Sequence, residues 1–512
     1  MSAQHSGLRV QLASLNANAK LESDALPEFE RWLIPTCGED ETSGFATAPT
    51  PPRLKPSAMC VGPREAPDLY AVGFQELGAL SAALAGCTET LRASVDREIR
   101  RTLRVHQATV RPDRMYDPLE MGGGPENYAL IAEVVHGGIV LFVYARERPP
   151  QVVAAHRKEV RSAAERIREV RTTQVGTGIF DVMGNKGAVG ARVRVASSTP
   201  GAEDEVYTFV CAHLAAHDHN VQRRNADWRS IAERLVFSHK QLGYIPSVLP
   251  RNLGGDPSAT IAQVQSVPTK TVAEHQSSAL DEKEYSLYDT HRLFVMGDLN
   301  YRISANSVGV NPADGTSDPS KFPPLNKRDI KSMLASKDPE RWTWLLPYDQ
   351  LIAQRAHTPP LAFQELCVPD MNRWRIPPTY KYIIPASSKQ GADILNPKRI
   401  PGWTDRILWS GGDAQCELYR SIMRSRKSDH KPITAILALD PAPATFLRAP
   451  WPINPQWRSL QRTGIVLDRI VGYLWSLLLL FGNGSLLFAF LELVLLVGLS
   501  VWYLQTASLP FQ

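Results

Sequence analysis

The sequence predicts an α+β fold in which a two-layer β-sandwich is flanked by helices. Short apolar runs suited to strands recur along residues 8–440, and helical periodicity appears between them without a strict strand–helix alternation. Polar stretches rich in Pro, Gly and Ser interrupt these runs as surface insertions. A long apolar segment follows at the C-terminal end, and it predicts a transmembrane or hairpin membrane segment in addition to the sandwich.

The strands are predicted from apolar or alternating runs of about five to nine residues that end at Gly, Pro or polar turn residues. In chain order they cover residues 8–17, 70–74, 128–134, 138–144, 189–195, 207–212, the start of 294–303, a short piece near 380, 406–409 and 432–439. Apolar residues recur with helical spacing over 80–105 and 220–235, which predicts two helices.

We predict one catalytic domain over residues 1–440, because 512 residues suit one large domain with insertions as well as two or three average ones. Its insertions are predicted at about 37–67, 250–287 and 304–325. A linker is predicted over 441–469, and a C-terminal membrane anchor over 470–512.

Composition restricts the class of protein. The formal net charge of +5 is too small to indicate a nucleic-acid partner, and we expect none. Six cysteines are scattered without a CxxC pair, which indicates free thiols in a reducing compartment and neither a disulfide framework nor a zinc site. Residues 1–10 lack a basic region followed by an apolar run, so no secretory signal is predicted.

The C-terminal segment 470–512 contains a single charged residue, Glu492. As one helix, residues 470–504 would be about 52 Å long, whereas the hydrocarbon core of a bilayer is about 30 Å thick. The sequence Gly-Asn-Gly-Ser over 482–485 is predicted to interrupt the helix. Two membrane alternatives remain. One is a span over about 485–504 preceded by an interfacial helix, and the other is a re-entrant hairpin. The alternative without a membrane is a helix buried in the core of the protein.

Basic residues precede this apolar run and none follows it. They are Arg448, Arg458, Arg462 and Arg469. Because basic residues remain on the cytoplasmic side of a membrane, the asymmetry predicts that the catalytic domain faces the cytoplasm. A short tail anchor of this kind suits the endoplasmic reticulum membrane.

Polar residues at predicted strand ends are the first candidates for chemistry. Asp298 and Asn300 follow a buried strand and stand two residues apart, so both can face one pocket. Asn16 and Glu76 each follow another strand, and amide and carboxylate oxygens are ligands that suit Mg²⁺. Each of these residues taken alone is as readily explained by a turn, where Asp and Asn are common.

Three further patterns hold basic or titratable groups. The Gly-flanked loop 183–187 would let Lys186 and backbone N–H groups approach an anion, although it could also be a simple hairpin turn. His213 and His217 have the spacing of half a metal site, but no HExxH glutamate accompanies them, which disfavours zinc. His430, if oriented by an acid, could hold a transferring phosphoryl group or shuttle a proton.

Taken in order, nine motifs resemble those of the inositol polyphosphate 5-phosphatases. They are FQE, GNKG, CAHLAAH, RRNAD, GDLNYRI, YDQL, PPTYK, RIPGWTDRILW and SDHKP, and they cover about residues 8–440. This family belongs to the DNase I-like superfamily of magnesium-dependent phosphodiesterases and phosphatases. With its apolar tail, the chain is most similar to the small tail-anchored members that act on phosphatidylinositol 4,5-bisphosphate.

The resemblance implies roles in metal binding or catalysis for seven residues. Asn16 and Glu76 would hold Mg²⁺, with Asp429 supporting the metal side. Asp298 would orient and activate the attacking water. The remaining catalytic roles fall to Asn300 and His430, which would contact the scissile phosphate, and to Asp405, which would orient His430.

The resemblance also implies a set of pocket and substrate residues. Those that would line the pocket are His213, Asn185, Lys186 and Asn225. Those that would bind the neighbouring 4-phosphate are Tyr380, Lys381 and Arg399, with Lys398 as a substitute because Pro397 occupies the position where the family often has a lysine. Thr404 replaces the usual cysteine before Asp405, which leaves the catalytic groups intact.

The implied function is therefore a Mg²⁺-dependent phosphatase that removes the 5-phosphate of a phosphoinositide lipid by direct attack of water. The expected partners are the lipid substrate and the membrane, with no obligatory protein partner. A nuclease or other phosphodiesterase of the same superfamily would share Asn16, Glu76, Asp298 and His430, but it would not explain PPTYK or the membrane tail. A catalytically dead membrane adaptor would lack at least one of these ligands, and none is missing.

Overall fold

The computed structural model describes part of the chain. The ranges are 8–34 without 25 and 28, 66–104, 127–147, 162–197, 201–238, most of 283–481, and residues 494, 495, 498 and 499. The predicted insertions at 37–67 and 250–287 lie almost entirely outside the described residues, as does most of the predicted span 485–504. The insertion at 304–325 is described apart from residue 313, and it consists of turns with one bridge between Val310 and Ser317.

Six strands form the first sheet, in the spatial order β11, β12, β1, β2, β4, β3. Their bounds are β1 Arg9–Asn16, β2 Leu69–Gln75, β3 Tyr128–His136, β4 Ile139–Arg146, β11 Ala414–Ser421 and β12 Ile433–Leu439. Every residue of β2, β4 and β12 is buried, and these strands are almost entirely apolar and do not alternate. Such strands need cover on both faces of the sheet.

Six more strands form the second sheet, in the order β5, β6, β7, β8, β10, β9. Their bounds are β5 Ile167–Gly176, β6 Gly187–Val195, β7 Glu205–His213, β8 Arg292–Asp298, β9 Leu366–Cys367 and β10 Asp405–Ser410. Each sheet is antiparallel except for one parallel pair, β1–β2 in the first and β7–β8 in the second.

The two parallel pairs determine where the polar strand ends meet. Asn16 is opposite Gln75 at the carboxyl ends of β1 and β2, and His213 is opposite Asp298 at the carboxyl ends of β7 and β8. Parallel strands end at the same edge of a sheet, so each pair brings two loops together. The candidate site lies where these two edges adjoin.

The main hydrophobic core lies between the sheets. Leu12 and Ala71 of the first sheet belong to the same buried cluster as Phe209 and Met296 of the second. Helices cover the outer faces in two further clusters, with Val95, Ile99 and Leu103 of one helix against the first sheet and Trp228 and Ile231 of another against the second. The predicted two-layer β-sandwich flanked by helices is thereby confirmed.

Within the described residues, ten α-helices accompany the sheets. They are α1 Glu30–Leu33, α2 Leu80–Ala85, α3 Glu89–Arg104, α4 Ala163–Arg166, α5 Val221–Arg234, α6 Lys327–Ala335, α7 Pro339–Thr343, α8 Gln350–Ala356, α9 Met371–Trp374 and α10 Trp457–Phe481. Side-chain caps start several of them, as where Asp349 accepts hydrogen bonds from the backbone of Leu351 and Ile352 at the start of α8.

The C-terminal helix α10 begins at Trp457, inside the predicted linker 441–469, and continues to Phe481, inside the predicted anchor 470–512. The first part of α10 packs on the domain, with Trp457, Gly464, Asp468 and Gly472 buried. The composition of this part is mixed because it has one docked face and one solvent face, and this mixture resembled a linker. Among the described helices, α10 is the one whose length and hydropathy would allow it to cross a membrane.

Candidate active site

The centre of the candidate site joins the ends of β1, β2 and β8. The Asn16 side-chain amide donates hydrogen bonds to Asp298 Oδ2 at 3.0 Å and to Glu76 Oε1 at 3.4 Å. Asn16 and Asp298 are almost fully buried, whereas the Glu76 side chain is 41% exposed. Glu76 and Asn300 both have positive φ, +52° and +58°, a conformation that L-residues rarely adopt and that is concentrated at functional sites.

Two basic groups lie next to these carboxylates. His213 Nε2 is 3.4 Å from Asp298 Oδ2 and 3.7 Å from Glu76 Oε1. The Lys186 ammonium contacts the same imidazole, with Nζ 3.3 Å from Nδ1. Burial lowers the pKa of His213, and the Lys186 charge lowers it further. Burial also lowers the pKa of Lys186. The pocket thus places a neutral imidazole and a desolvated amine beside Asp298.

His430 is held by Asp405, as the resemblance implies. His430 Nδ1 donates to Asp405 Oδ2 at 2.9 Å, and His430 Nε2 lies 3.9 Å from Asp298 Oδ2. Burial disfavours the charged form of His430, but the carboxylates of Asp405 and Asp298 outweigh burial and raise its pKa to about 9. His430 is therefore an imidazolium at neutral pH, with Nε2–H directed toward the centre of the site.

Asp298 remains ionised in this environment. Burial alone would raise its pKa, but the charge of His430, the hydrogen bond from His213 and the charge of Lys186 hold the pKa well below its usual range. The backbone N–H of Asn300 also donates to Asp298 Oδ1 at 3.1 Å. The carboxylate is thus kept charged and fixed in orientation.

Tyr380, Lys381 and Asp429 lie on the His430 side of the site. The Tyr380 ring packs on the His430 imidazole with centroids 4.4 Å apart. The Lys381 ammonium forms an ion pair with the Asp429 carboxylate. Burial opposes the charge of Lys381, but Asp429 outweighs it and raises the pKa of the lysine. Asp429 was predicted to support the metal side, and its carboxylate is instead directed to Lys381.

The other predicted substrate residues lie further from this centre. Asn185 Oδ1 accepts a hydrogen bond from the Ile179 backbone at 3.0 Å, so it holds the preceding turn. Asn225 is bound by the Tyr301 hydroxyl at 2.7 Å and donates to Gln354 at 2.8 Å. Lys398 and Arg399 are exposed. Their roles in substrate binding remain predictions.

Two groups of ligands could hold a divalent cation. The Asn16 NH₂ group bridges Glu76 Oε1 and Asp298 Oδ2, two carboxylate oxygens of the hard type that suits Mg²⁺, while Asn16 Oδ1 accepts from the Asn18 backbone N–H at 2.9 Å and would have to turn to join them as a ligand. Asp298, Asp405 and His430 are also clustered, but there His430 Nδ1 already donates to Asp405. The first group is therefore the better candidate for the cation.

Sequence reasoning missed supporting residues that stand inside the quoted motifs. Arg302 donates to Asn300 Oδ1 at 2.9 Å and lies over the Tyr380 ring. The hydroxyls of Thr379 and Thr404 donate to Asp405 Oδ2 at 2.7 and 3.0 Å. Thr404, which replaces a usual cysteine, thus adds a hydrogen bond to the acid that orients His430. Position in the motif was the signal for these residues, since Arg302 and Thr404 stand within two residues of their partners and Thr379 lies 26 residues from Asp405.

The layered fold and a buried cluster of acid, amide and histidine at adjoining strand ends define a DNase I-like protein. The chain belongs to the family described as Endonuclease/Exonuclease/phosphatase family 2, which matches residues 14–436. The resemblance seen in the motifs is thereby confirmed.

Relatives and a solved structure agree with this family. The Type II inositol 1,4,5-trisphosphate 5-phosphatase of Mus musculus is 27% identical over 373 residues, 72% of this chain and 26% of that protein. The Type IV inositol polyphosphate 5-phosphatase 3 of Arabidopsis thaliana is 28% identical over 278 residues, 54% of this chain and 31% of that protein. The chain thus spans about a quarter to a third of the length of these relatives.

The solved structure is the inositol polyphosphate 5-phosphatase domain of SPsynaptojanin, in complex with inositol (1,4)-bisphosphate and a calcium ion. It is similar with a TM-score of 0.50 at 22% identity and covers 91% of each chain. This likeness shows the fold.

Proposed function

We propose that this protein is a Mg²⁺-dependent phosphatase that removes the 5-phosphate from phosphatidylinositol 4,5-bisphosphate at a membrane surface. The observation that carries the proposal is the buried cluster of Asp298, His430 and Asn16 with Glu76 at its edge, in a family whose relatives are named inositol 5-phosphatases. The cluster contains the ionised acid, the charged imidazole and the hard oxygen ligands that phosphoryl transfer to water uses.

The chain's own residues supply the chemistry in distinct ways. His430 Nε2 lies 3.9 Å from Asp298 Oδ2, and the Lys186 ammonium contacts the imidazole of His213, which is 3.4 Å from the same oxygen, so a phosphate bound there would meet N–H donors from His430 and Lys186. Asp298 lacks a proton at neutral pH and would accept a hydrogen bond from the attacking water, which orients the water. Asp405 keeps the His430 donor directed at the phosphate. The cysteines take no part in this mechanism, because water attacks directly.

Asn16, Glu76 and Asp298 would hold the Mg²⁺. When bound, the cation would neutralise charge that develops on the phosphate oxygens. Asn300 would bind the phosphate beside the cation. Its Oδ1 is held by Arg302 and one amide N–H by the Leu214 carbonyl at 3.1 Å, which leaves a second N–H for the phosphate.

Exposed apolar residues support action at a lipid surface. On α10, Tyr473, Leu474 and Leu477 are exposed immediately beyond the docked part of the helix. Ile179 and Phe180 are 50% and 77% exposed in the turn that precedes the Lys186 loop. We propose that these residues face the membrane, with the catalytic domain on the cytoplasmic side of the endoplasmic reticulum, in line with the arginines that precede the apolar run.

The substrate is tested on the purified full chain with vesicles that contain phosphatidylinositol 4,5-bisphosphate. We expect release of the 5-phosphate with Mg²⁺ and a loss of about a hundredfold or more with EDTA, reversed by added Mg²⁺, because the acidic cluster needs a cation to bind phosphate. Phosphatidylinositol 4-phosphate, which lacks the 5-phosphate, is the matched control. Equal phosphate release from both lipids, or cleavage of DNA in place of lipid, would reject the proposal.

Anchoring is tested by ending the chain after Gly472. This truncation keeps the buried contacts of Gly464, Asp468 and Gly472 and removes Tyr473, Leu474, Leu477 and the apolar residues that follow them. We expect the truncated protein in the soluble fraction, because it has lost the apolar segment that a bilayer would bury. The control replaces residues 473–512 with an unrelated transmembrane segment, which should restore sedimentation with membranes. Unchanged sedimentation of the truncated chain contradicts the proposed anchor.

A further inference from the structure

The docked part of α10 contacts the loop that carries Lys186. The Asp468 carboxylate accepts a hydrogen bond from the backbone N–H of Gly184, whose nitrogen is 2.9 Å from Oδ1 and 3.0 Å from Oδ2. Asp468 is 4% exposed in this position. Gly184 precedes Lys186 by two residues, and the Lys186 ammonium contacts His213 beside Asp298. A residue near the C-terminal end thus touches the turn that places a predicted phosphate-binding group.

Close packing along one face of α10 fixes the position of the helix on the catalytic domain. Gly464, Asp468 and Gly472 are spaced by four residues and so lie along one side. A Cβ atom at Gly464 would collide with the carbonyl of Val182, and one at Gly472 would collide with the backbone of Ala85. The two glycines therefore let the helix approach closely enough for Asp468 to reach Gly184, and rotation or sliding of α10 would break that hydrogen bond.

His136, at the end of β3, packs against the contact between Asp468 and Gly184. Its Nδ1 lies 3.8 Å from Asp468 Oδ2, and its ring is buried against Gly184. Burial lowers the pKa of His136 to about 4, so the ring is neutral at physiological pH and does not neutralise Asp468. The Gly184 amide therefore remains the close hydrogen-bond donor to the aspartate among the described contacts.

We propose that Asp468 is a positioning residue, which holds the turn 184–186 so that Lys186 is presented to the phosphate, and that catalysis therefore depends on the docking of α10. The inference rests on the proposed function, since the position of Lys186 matters for turnover only if phosphate binds beside Asp298. It gives the helix that continues into the apolar segment a direct connection to the substrate pocket.

The first test compares variants of the full chain in detergent micelles, with inositol 1,4,5-trisphosphate as a water-soluble substrate. Asp468→Ala leaves the buried Gly184 amide without its acceptor, and we expect kcat/KM to fall about tenfold. Asp468→Asn keeps an acceptor oxygen and should recover most of the activity. Val466→Ala is the matched control, because Val466 is exposed on the same helix.

A double-mutant cycle distinguishes positioning from general damage. If Asp468 acts through Lys186, Asp468→Ala should have little further effect in a Lys186→Ala background. In a Lys381→Ala background, Asp468→Ala should still reduce kcat/KM by its full factor, because Lys381 lies on the Asp429 side of the pocket. Full multiplication in both backgrounds would overturn the inference.

Hydrogen exchange tests the contact independently of turnover. In Asp468→Ala, amides of residues 183–187 should exchange faster, while those of β4 keep wild-type protection and show that the domain is folded. A wild-type chain without phosphatase activity would reject the proposed function, and exchange would still decide the role of Asp468. An active wild type whose Asp468→Ala variant matches it in both rate and exchange would overturn this inference alone.

Discussion

Asp298→Asn is expected to reduce release of the 5-phosphate by about a thousandfold or more. The substitution preserves the shape of the side chain and removes the charge that His430, His213 and Lys186 surround. Without that charge, water loses its acceptor and the cation loses a ligand, and general-base contributions alone are worth about a hundredfold to ten-thousandfold. The measurement is kcat on vesicles of phosphatidylinositol 4,5-bisphosphate at saturating Mg²⁺.

The control for this experiment is Asp24→Asn, which removes an exposed aspartate in a turn outside the site. It should retain wild-type turnover. Circular dichroism of both variants shows whether the fold is unchanged. A folded Asp298→Asn protein that keeps more than about a tenth of the wild-type rate would show that Asp298 is not the acid that activates water.

Asp405→Asn is expected to lower kcat by about a hundredfold, because it releases the imidazole that contacts the phosphate. Asp405 Oδ2 accepts hydrogen bonds from His430, Thr379 and Thr404. An asparagine there can direct its NH₂ group at His430 Nδ1, which would leave Nδ1 without a proton and the ring without its positive charge, so that only a neutral Nε2–H donor would face the phosphate.

The pH profile gives a second readout for the same variant. Asp405 and Asp298 raise the pKa of His430 to about 9 against the opposing effect of burial. Activity that needs the imidazolium is therefore present below that pH and is lost as the pH rises through it. Removal of the Asp405 charge lowers the pKa of His430, so the alkaline limb should move to lower pH.

A His430→Gln background supplies the control for Asp405. In that background Asp405→Asn should change kcat little, because the acid acts through the imidazole. A further hundredfold loss there would contradict an orienting role.

The sandwich was predictable because its strands are local patterns. Residues 70–74 and 138–144 are apolar throughout, and the sheet that contains β2 and β4 is covered on both faces. The helix α10 begins within the predicted linker, at Trp457, and its docked face was not predictable. Gly464, Asp468 and Gly472 are unremarkable as separate residues, and only their contacts with Val182, Gly184 and Ala85 explain them.

The candidate site was predictable in its centre and less so at its margins. Asn16, Glu76 and Asp298 follow apolar runs directly, so strand ends and motifs identify them together. Asn225 matched a motif too, yet its amide is bound to Tyr301 and Gln354. Motifs record which residues recur, whereas the direction of a side chain depends on neighbours from other parts of the chain.

The sequence by itself determined the fold class, the family and the residue types of the central cluster, because these follow from short-range periodicity and ordered motifs. Only the tertiary structure decided that Asp429 pairs with Lys381, that Thr404 supports Asp405 and that Asp468 reaches Gly184. The Asp468 and Gly184 partners are 284 residues apart in sequence. Contacts over such separations depend on how sheets and helices pack, and no local pattern records that packing.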